Sequence, residues 1–336
     1  MAKKGHGIAL FSGGLDSALA ILMVMRQNVE VTALSFMNHF GCDITDKSSC
    51  SKDPYPIAEK FGFTVKMVHL GHQFVDIVRN PKYGHGRNMN PCIDCRILML
   101  REAKTFMELV GADFVFTGEV VGQRPMSQYK PQLALILRES GLGDKLVRPL
   151  SAKLLPETLP ERMGILDRKQ LGDINGRSRK AQMELADKYG LENYPGSAAG
   201  CLLTDAGYSK RLRDYFSHQE QVDFNELNLL RIGRHFRIDE NTKIIVGRDE
   251  KENDKIEKLR KPDEWLFEAR DTGSPITLVK GTISDEIIST AAAITARYCR
   301  ARNEKTVNIS FWTSEGNLRT INAQPTSDEY LKKIRL

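Results

Sequence analysis

The sequence predicts an α/β protein, a doubly wound parallel sheet with helices on both faces, followed by a smaller C-terminal α+β domain. Three features lead there. Four short apolar runs alternate with helical stretches as far as residue 120, which is the rhythm of βαβ units. The run Ile8–Phe11 passes through a glycine turn straight into a second, nearly all-apolar stretch, Leu15–Met25. Beyond Ser209 the texture changes to short strand-like runs separated by turn residues.

Taken in order, Ile8–Phe11 is the first strand and Leu15–Met25 the first helix. Val29–Phe36 is the second strand, Pro54–Phe61 a helix and Val65–Leu70 the third strand. Residues 93–110 place Ile97, Leu100, Met107 and Val110 near one helical face, and Phe114–Thr117 is the fourth strand. Residues 210–228 are polar and read as a helical connector. Phe236–Ile238, Lys243–Val246, Trp265–Ala269 and Ile276–Val279 are strands. Ser284 caps a helix running to about Arg302, and Val307–Phe311 with a turn at Glu315-Gly-Asn317 closes a hairpin. The expected domains are 1–218 and 219–336. In open sheets of the first kind, ligands sit beyond the carboxyl ends of the strands, where the strand order reverses.

Composition narrows the class. The 336 residues suit two domains, at about 150 residues each. With 41% apolar and 27% charged residues, the chain is too hydrophobic for overall disorder. It has no apolar run of the roughly 18 residues a membrane span needs. The opening MAKKGHGIALFSGG is too short for a signal peptide. Six cysteines are too sparse for a disulfide framework, so a cytoplasmic protein without a membrane partner is expected. The net charge of +6 sits in residues 1–218, with 29 basic against 23 acidic residues, whereas residues 219–336 hold 20 of each. Arg168, Lys169, Arg177, Arg179 and Lys180 crowd thirteen residues in which Asp173 is the sole counter-charge. That pattern suits an electrostatic footprint for RNA or a solvated helix face.

The chemistry begins at Ser12-Gly13-Gly14-Leu15-Asp16-Ser17, between the first strand and its helix. Glycines let backbone approach an anion, and the free N–H groups at the helix start, with the Ser12 and Ser17 hydroxyls, suit a phosphate. Asp16 repels a phosphate, so its expected task is to position Mg²⁺ or the loop. SGGLDS in this setting resembles the PP-loop family of ATP pyrophosphatases, over roughly residues 5–205. The resemblance implies an adenine nucleotide alpha hydrolase-like fold, with ATP cleaved between its α and β phosphates and AMP transferred. It also implies adenine held by backbone near Ser35 and Phe36, with Phe11 leading into the loop. Thr117-Gly118-Glu119 and the stretch from Gly122-Gln123 to Ser127-Gln128 resemble the TGE..GQ...SQ signature of ThiI-type 4-thiouridine synthases, which assigns Gly118 and Gln123 to the nucleotide site.

Cys92 and Cys95 stand one helical turn apart at a helix start, where the positive helix end lowers thiol pKa and suits metal ligation or nucleophilic attack. Cys201 follows in a distant loop. Asn90-Pro91-Cys92-Ile-Asp-Cys95 with Gly200-Cys201 resembles the paired segments of 2-thiouridylase-type enzymes, with Cys92 in place of the usual acid. The resemblance implies members that hold a [4Fe–4S] cluster on three thiolates, leaving one iron open for sulfide. Zinc with His85 as a fourth ligand, and a persulfide pair of Cys95 and Cys201, are the alternatives. Cys42, Cys50, Cys299, His69 and His72 read as structural.

Residues 243–254 and 263–270 resemble the RNA-binding portion of NFACT proteins, departing from it at Asp249 and Glu268. No THUMP domain fits before Gly5 and no rhodanese-like extension follows, so free sulfide or a separate carrier is the expected sulfur donor. These resemblances together imply an ATP-dependent sulfurtransferase acting on uridine in tRNA or another structured RNA. A PP-loop ligase or amidotransferase with a non-RNA acceptor, and a non-catalytic zinc-containing RNA-binding protein, are the other readings.

Overall fold

A computed structural model of the chain describes residues 4–40, 53–192, 194, 201–316 and 318–336. Cys42 and Cys50 lie outside these. The chain divides into two compact units, 1–205 and 206–336.

In the first unit the strands are β1 (His6–Leu10), β2 (Glu30–Met37), β3 (Thr64–His69), β4 (Phe114–Thr117) and β5 (Leu146–Val147). The helices are α1 (Leu15–Met25), α2 (Tyr55–Phe61), α3 (Gly71–Arg79), α4 (Cys92–Val110), α5 (Lys130–Ser140), α6 (Leu159–Arg162) and α7 (Lys180–Tyr189). All strand pairs are parallel, in the order β3-β2-β1-β4-β5. The chain runs outward from β1 through β2 to β3, then returns to β4 on the other side, so the order reverses beside β1. Register brings Leu10 level with Leu34 and with Thr117, so β1 and β4 finish together while β2 runs three residues further, to Met37. Ala9, Phe11, Ala33, Phe114 and Phe116 share a core cluster with α1 and with Ala186 of α7. Ile8, Leu10 and Val115 alternate with them and are also buried, and α4 packs on β1 and β4. Burial on both sheet faces is what turns these strands into continuous apolar runs. Helix α1 is apolar all round because it is almost wholly enclosed.

The second unit contains α8 (Ala206–His218), α9 (Phe224–Leu229), α10 (Glu250–Leu259), α11 (Asp285–Tyr298) and α12 (Asp328–Ile334). Its strands are β6 (Arg234–Arg237), β7 (Lys243–Val246), β8 (Trp265–Ala269), β9 (Thr277–Lys280), β10 (Val307–Trp312) and β11 (Arg319–Ala323). They form one antiparallel sheet, β11-β10-β8-β9-β7-β6. Phe236, Phe267 and Phe311 pack beneath α11, and Ile256 of α10 joins a second cluster with Leu266 and Leu278. The expected connector helix is two helices, broken where Asp223 caps α9 by accepting from the Asn225 N–H. Its first part, α8, belongs to the second unit, although the sequence reading ended the first domain at 218. The expected helix after Ser284 ends at Tyr298, and Cys299 sits at its cap, buried, with its Sγ on the Ala296 carbonyl. His72 lies on α3.

Candidate functional site

The glycine corner forms as its residues require. The Phe11 N–H donates to the Leu34 carbonyl (2.9 Å), carrying the sheet one residue past β1. Gly13 adopts φ 70°. Ser17 Oγ donates to the Gly14 carbonyl (3.0 Å) and accepts from the Ser12 N–H (3.3 Å). No side chain caps α1 at Gly14, which leaves the first N–H groups of the helix to an anion. Gly118, just past β4, touches this corner directly. A Cβ there would lie 2.5 Å from Ser17 N and 2.6 Å from Asp16 C, both backbone atoms. Ser35 and Phe36 are buried at the end of β2, beside the same corner.

Asp16 is the focus of the corner. Its Oδ2 accepts from Gln123 Nε2 (3.1 Å), while its buried Oδ1 has no hydrogen-bond partner among the described residues. Burial pushes the Asp16 carboxyl up from its ordinary value, opposed by Gln123, Arg179 and Arg124. An acid with one satisfied and one orphaned oxygen fits a divalent cation, the task expected from sequence. The Arg124 carbonyl accepts from the Gln128 N–H (2.9 Å), closing the turn that carries Gln123.

Glu119 lies fully buried below this turn. Arg148 Nε donates to its Oε2 at 3.0 Å, and Arg96 Nε stands 3.6 Å from Oε1. Burial pushes Glu119 up, but Arg148 and Arg96 outweigh it and hold the carboxyl below its ordinary range. Arg96 follows Cys95 on α4, so the carboxylate ties the cysteine helix to the strand that reaches the glycine corner.

The cysteine segments are drawn to one neighbourhood. Cys92 and Cys95 occupy the first turn of α4. Asp94 between them is buried and accepts from the Lys82 and Tyr83 N–H groups (3.0 and 3.1 Å), anchoring the preceding loop. The segment after Cys201 docks on that loop: the Met89 N–H donates to the Leu203 carbonyl (3.0 Å) and Asn88 Nδ2 to the Thr204 carbonyl (2.6 Å). Even so, no three His, Cys, Asp or Glu side chains among the described residues are grouped to hold a metal. Two local details bear on the expected thiol and zinc chemistry. Burial pushes the Cys92 thiol up rather than down, with Arg96 and Arg124 only opposing it. His85 turns Nε2 to the Val78 carbonyl (2.8 Å), which removes that nitrogen from a zinc ligand set.

The basic run divides. Arg168 is a structural residue: its guanidinium pairs with buried Glu161 (2.6 Å) and donates to the Ala152 and Leu155 carbonyls. Lys169, Arg177 and Lys180 are exposed. Arg179 faces inward enough to act on Asp16. Sequence reasoning missed Arg96, Arg124, Arg148 and Gln182. Arg124 was within reach, being next to Gln123; the others are joined to the site only by the fold.

A doubly wound sheet with this corner at its reversal point defines a PP-loop nucleotide-binding domain. Residues 2–152 match the family model of the thiamine biosynthesis protein ThiI, and residues 233–335 match that of the NFACT protein RNA binding domain. The chain is similar to the tRNA-specific 2-thiouridylase MnmA of Francisella tularensis, at 22% identity over 232 residues, covering 67% of this chain and 61% of that protein. It is 31% identical to MnmA of Cytophaga hutchinsonii over 134 residues, 35% of each chain. It also resembles a crystallised 4-thiouridine synthetase–RNA complex with bound ATP, at 18% identity over 56% of this chain and 52% of that one, with a TM-score of 0.35. The chain thus spans less than two thirds of the Francisella relative. Its N-terminal unit fits a PP-loop α/β fold and is similar to tRNA-thiolating enzymes, and its C-terminal unit is similar to NFACT RNA-binding domains.

The NFACT-like motif has structural work of its own. Asp249 caps α10 by accepting from the Glu252 N–H (2.9 Å), and Asn253 Oδ1 accepts from the Ile276 N–H (3.0 Å). Trp265 packs on Phe311, with the Arg319 guanidinium over its ring at 5.8 Å.

Proposed function

We propose that the protein is an ATP-dependent uridine sulfurtransferase acting on tRNA in the cytoplasm. One observation carries this reading. The turn after β4 reaches both halves of the chemistry, with Gln123 on Asp16 at 3.1 Å and Met126 against Gly86, whose added Cβ would meet Met126 Cε at 3.1 Å. Between them, Arg124 lies within electrostatic range of both Asp16 and Cys92. On this reading nucleotide and thiols meet beyond the carboxyl ends of the strands.

In the proposed reaction a uracil carbonyl oxygen attacks the α-phosphorus of ATP, and the bond to pyrophosphate breaks. Ser12, Gly13, Gly14 and Ser17 receive the phosphates, and backbone near Phe11, Ser35 and Phe36 receives adenine, beside Gly118. Positive groups placed where charge develops lower the barrier to pyrophosphate departure. Hydrosulfide, free or already released from a separate carrier, then attacks the activated carbon, and AMP leaves with the former carbonyl oxygen. Holding both reactants in one crevice supplies the proximity the second step needs.

Asp16, with its orphaned oxygen, would hold Mg²⁺, which neutralises phosphate charge when bound. The three thiols of Cys92, Cys95 and Cys201 suit a [4Fe–4S] cluster by donor chemistry. Their described arrangement does not gather into a ligand set. The C-terminal unit and the exposed Lys169, Arg177 and Lys180 are the proposed tRNA contacts.

The test is mass spectrometry of tRNA nucleosides after incubation with protein, Mg-ATP and sulfide without air. Thiouridine, with one AMP formed per sulfur inserted, is expected. AMP formation on a small-molecule acceptor with unmodified tRNA would instead favour the ligase reading.

A further inference from the structure

The ThiI match ends at residue 152, yet the wall facing the glycine corner is built from later chain. The Gly176 N–H donates to the Val121 carbonyl (2.8 Å), and Val121 and Asn175 form a parallel bridge. Gly122 and Gly176 both adopt positive φ, and a Cβ on Gly122 would lie 3.4 Å from Gly176 N. The positive φ of each turn favours glycine at both positions. The segment after Gly176 therefore rises beside the Gln123–Arg124 turn. It ends in α7, which packs on α1 and shares the α1 core cluster through Ala186.

The first turn of α7 holds Gln182, fully buried and within reach of the Asp16 carboxylate, to which its amide makes no close hydrogen bond. A buried amide left so loosely paired is available to a bound group. Asp16 Oδ1 is the second such orphan. Gln182, Arg179 and Arg124 all act on Asp16, so the three converge on one point at the start of α1.

We infer that Arg179 and Gln182, with Arg124, form the second wall of the triphosphate site and hold the pyrophosphate end of ATP opposite the glycine corner. This rests on the reading of the first unit as an ATP site, and it takes Arg179 out of the RNA footprint. The exposed neighbours Arg177 and Lys180 carry no part in it.

The test compares calorimetric binding of Mg-ATP and of AMP, and tRNA binding at fixed salt, for the full chain and for Arg179→Gln. Gln182→Met, close in volume, serves as a second variant, and thermal melting follows the fold. Loss of one charge-assisted contact weakens ATP about tenfold or more. AMP and tRNA affinities stay within about twofold. ATP binding unchanged in both variants, with weakened tRNA binding by Arg179→Gln, overturns the inference and returns Arg179 to the RNA surface. Equal loss of AMP and ATP also overturns it, since AMP has no pyrophosphate end. A wild-type chain that binds no ATP contradicts the parent reading itself.

Discussion

Replacing Glu119 by Gln keeps its shape and removes its charge. The wild-type carboxylate is 2% exposed, faces Arg148 at 3.0 Å and Arg96 at 3.6 Å, and Arg148 is 5% exposed. Gln cannot neutralise either guanidinium, and breaking a buried pair from one side costs about 3–5 kcal/mol. For a unit of 205 residues, about 2–4 °C per kcal/mol places the fall in melting temperature at roughly 6–20 °C. Adding Arg148→Met removes the stranded charge and recovers part of the loss, as expected of coupled neighbours. Since Glu119 titrates below its ordinary value of 4.5, its contribution is present above that value. It is lost as pH falls through the lower folded value. Glu119→Gln should therefore melt closest to wild type in acid. The assay is calorimetric melting between pH 3 and pH 7. A Glu119→Gln protein that melts within about 2 °C of wild type at pH 7 would refute the view that this carboxylate binds the cysteine helix to the nucleotide strand.

Three further outcomes are expected. Burial raises the Asp16 carboxyl above its ordinary 3.8, so its charged form destabilises the ligand-free fold above the folded pKa, and stability returns as pH falls through it. Asp16→Asn should then melt at or above wild type at neutral pH while abolishing ATP-dependent pyrophosphate release, checked by melting and a phosphate assay. Cys92→Ala, Cys95→Ala and Cys201→Ala should each abolish thiouridine formation, checked by mass spectrometry of tRNA nucleosides; full activity in all three would remove the thiols from the reaction. Arg168→Ala strands Glu161, which is buried, so it should lower the melting temperature by several degrees, whereas Arg177→Ala should leave melting alone and weaken tRNA binding.

Much of the fold was legible because local signals agreed with the tertiary structure. Leu15–Met25 and Phe114–Thr117 match their predicted bounds, since burial on all sides writes itself as unbroken hydrophobicity. Helix α7 was hidden for the opposite reason: only Gln182 and Ala186 are buried in it, too few to write an apolar periodicity. The two-residue β5 is too short for any pattern. SGGLDS and the Cys92–Cys95 pair were visible because a turn and a helical repeat are local. Arg148, Arg96 and Gln182 were not, since each meets its partner only through sheet register and helix packing. The raised Cys92 thiol shows the same limit: helix position is written in sequence, and depth of burial is not.

The most direct measurement follows one oxygen atom. In tRNA carrying ¹⁸O at the target uracil carbonyl, the thiolation reaction should deliver the label to AMP, one ¹⁸O for each thiouridine formed, read by mass spectrometry of the nucleotide product. Thiouridine accompanied by unlabelled AMP would contradict carbonyl adenylation at the glycine corner.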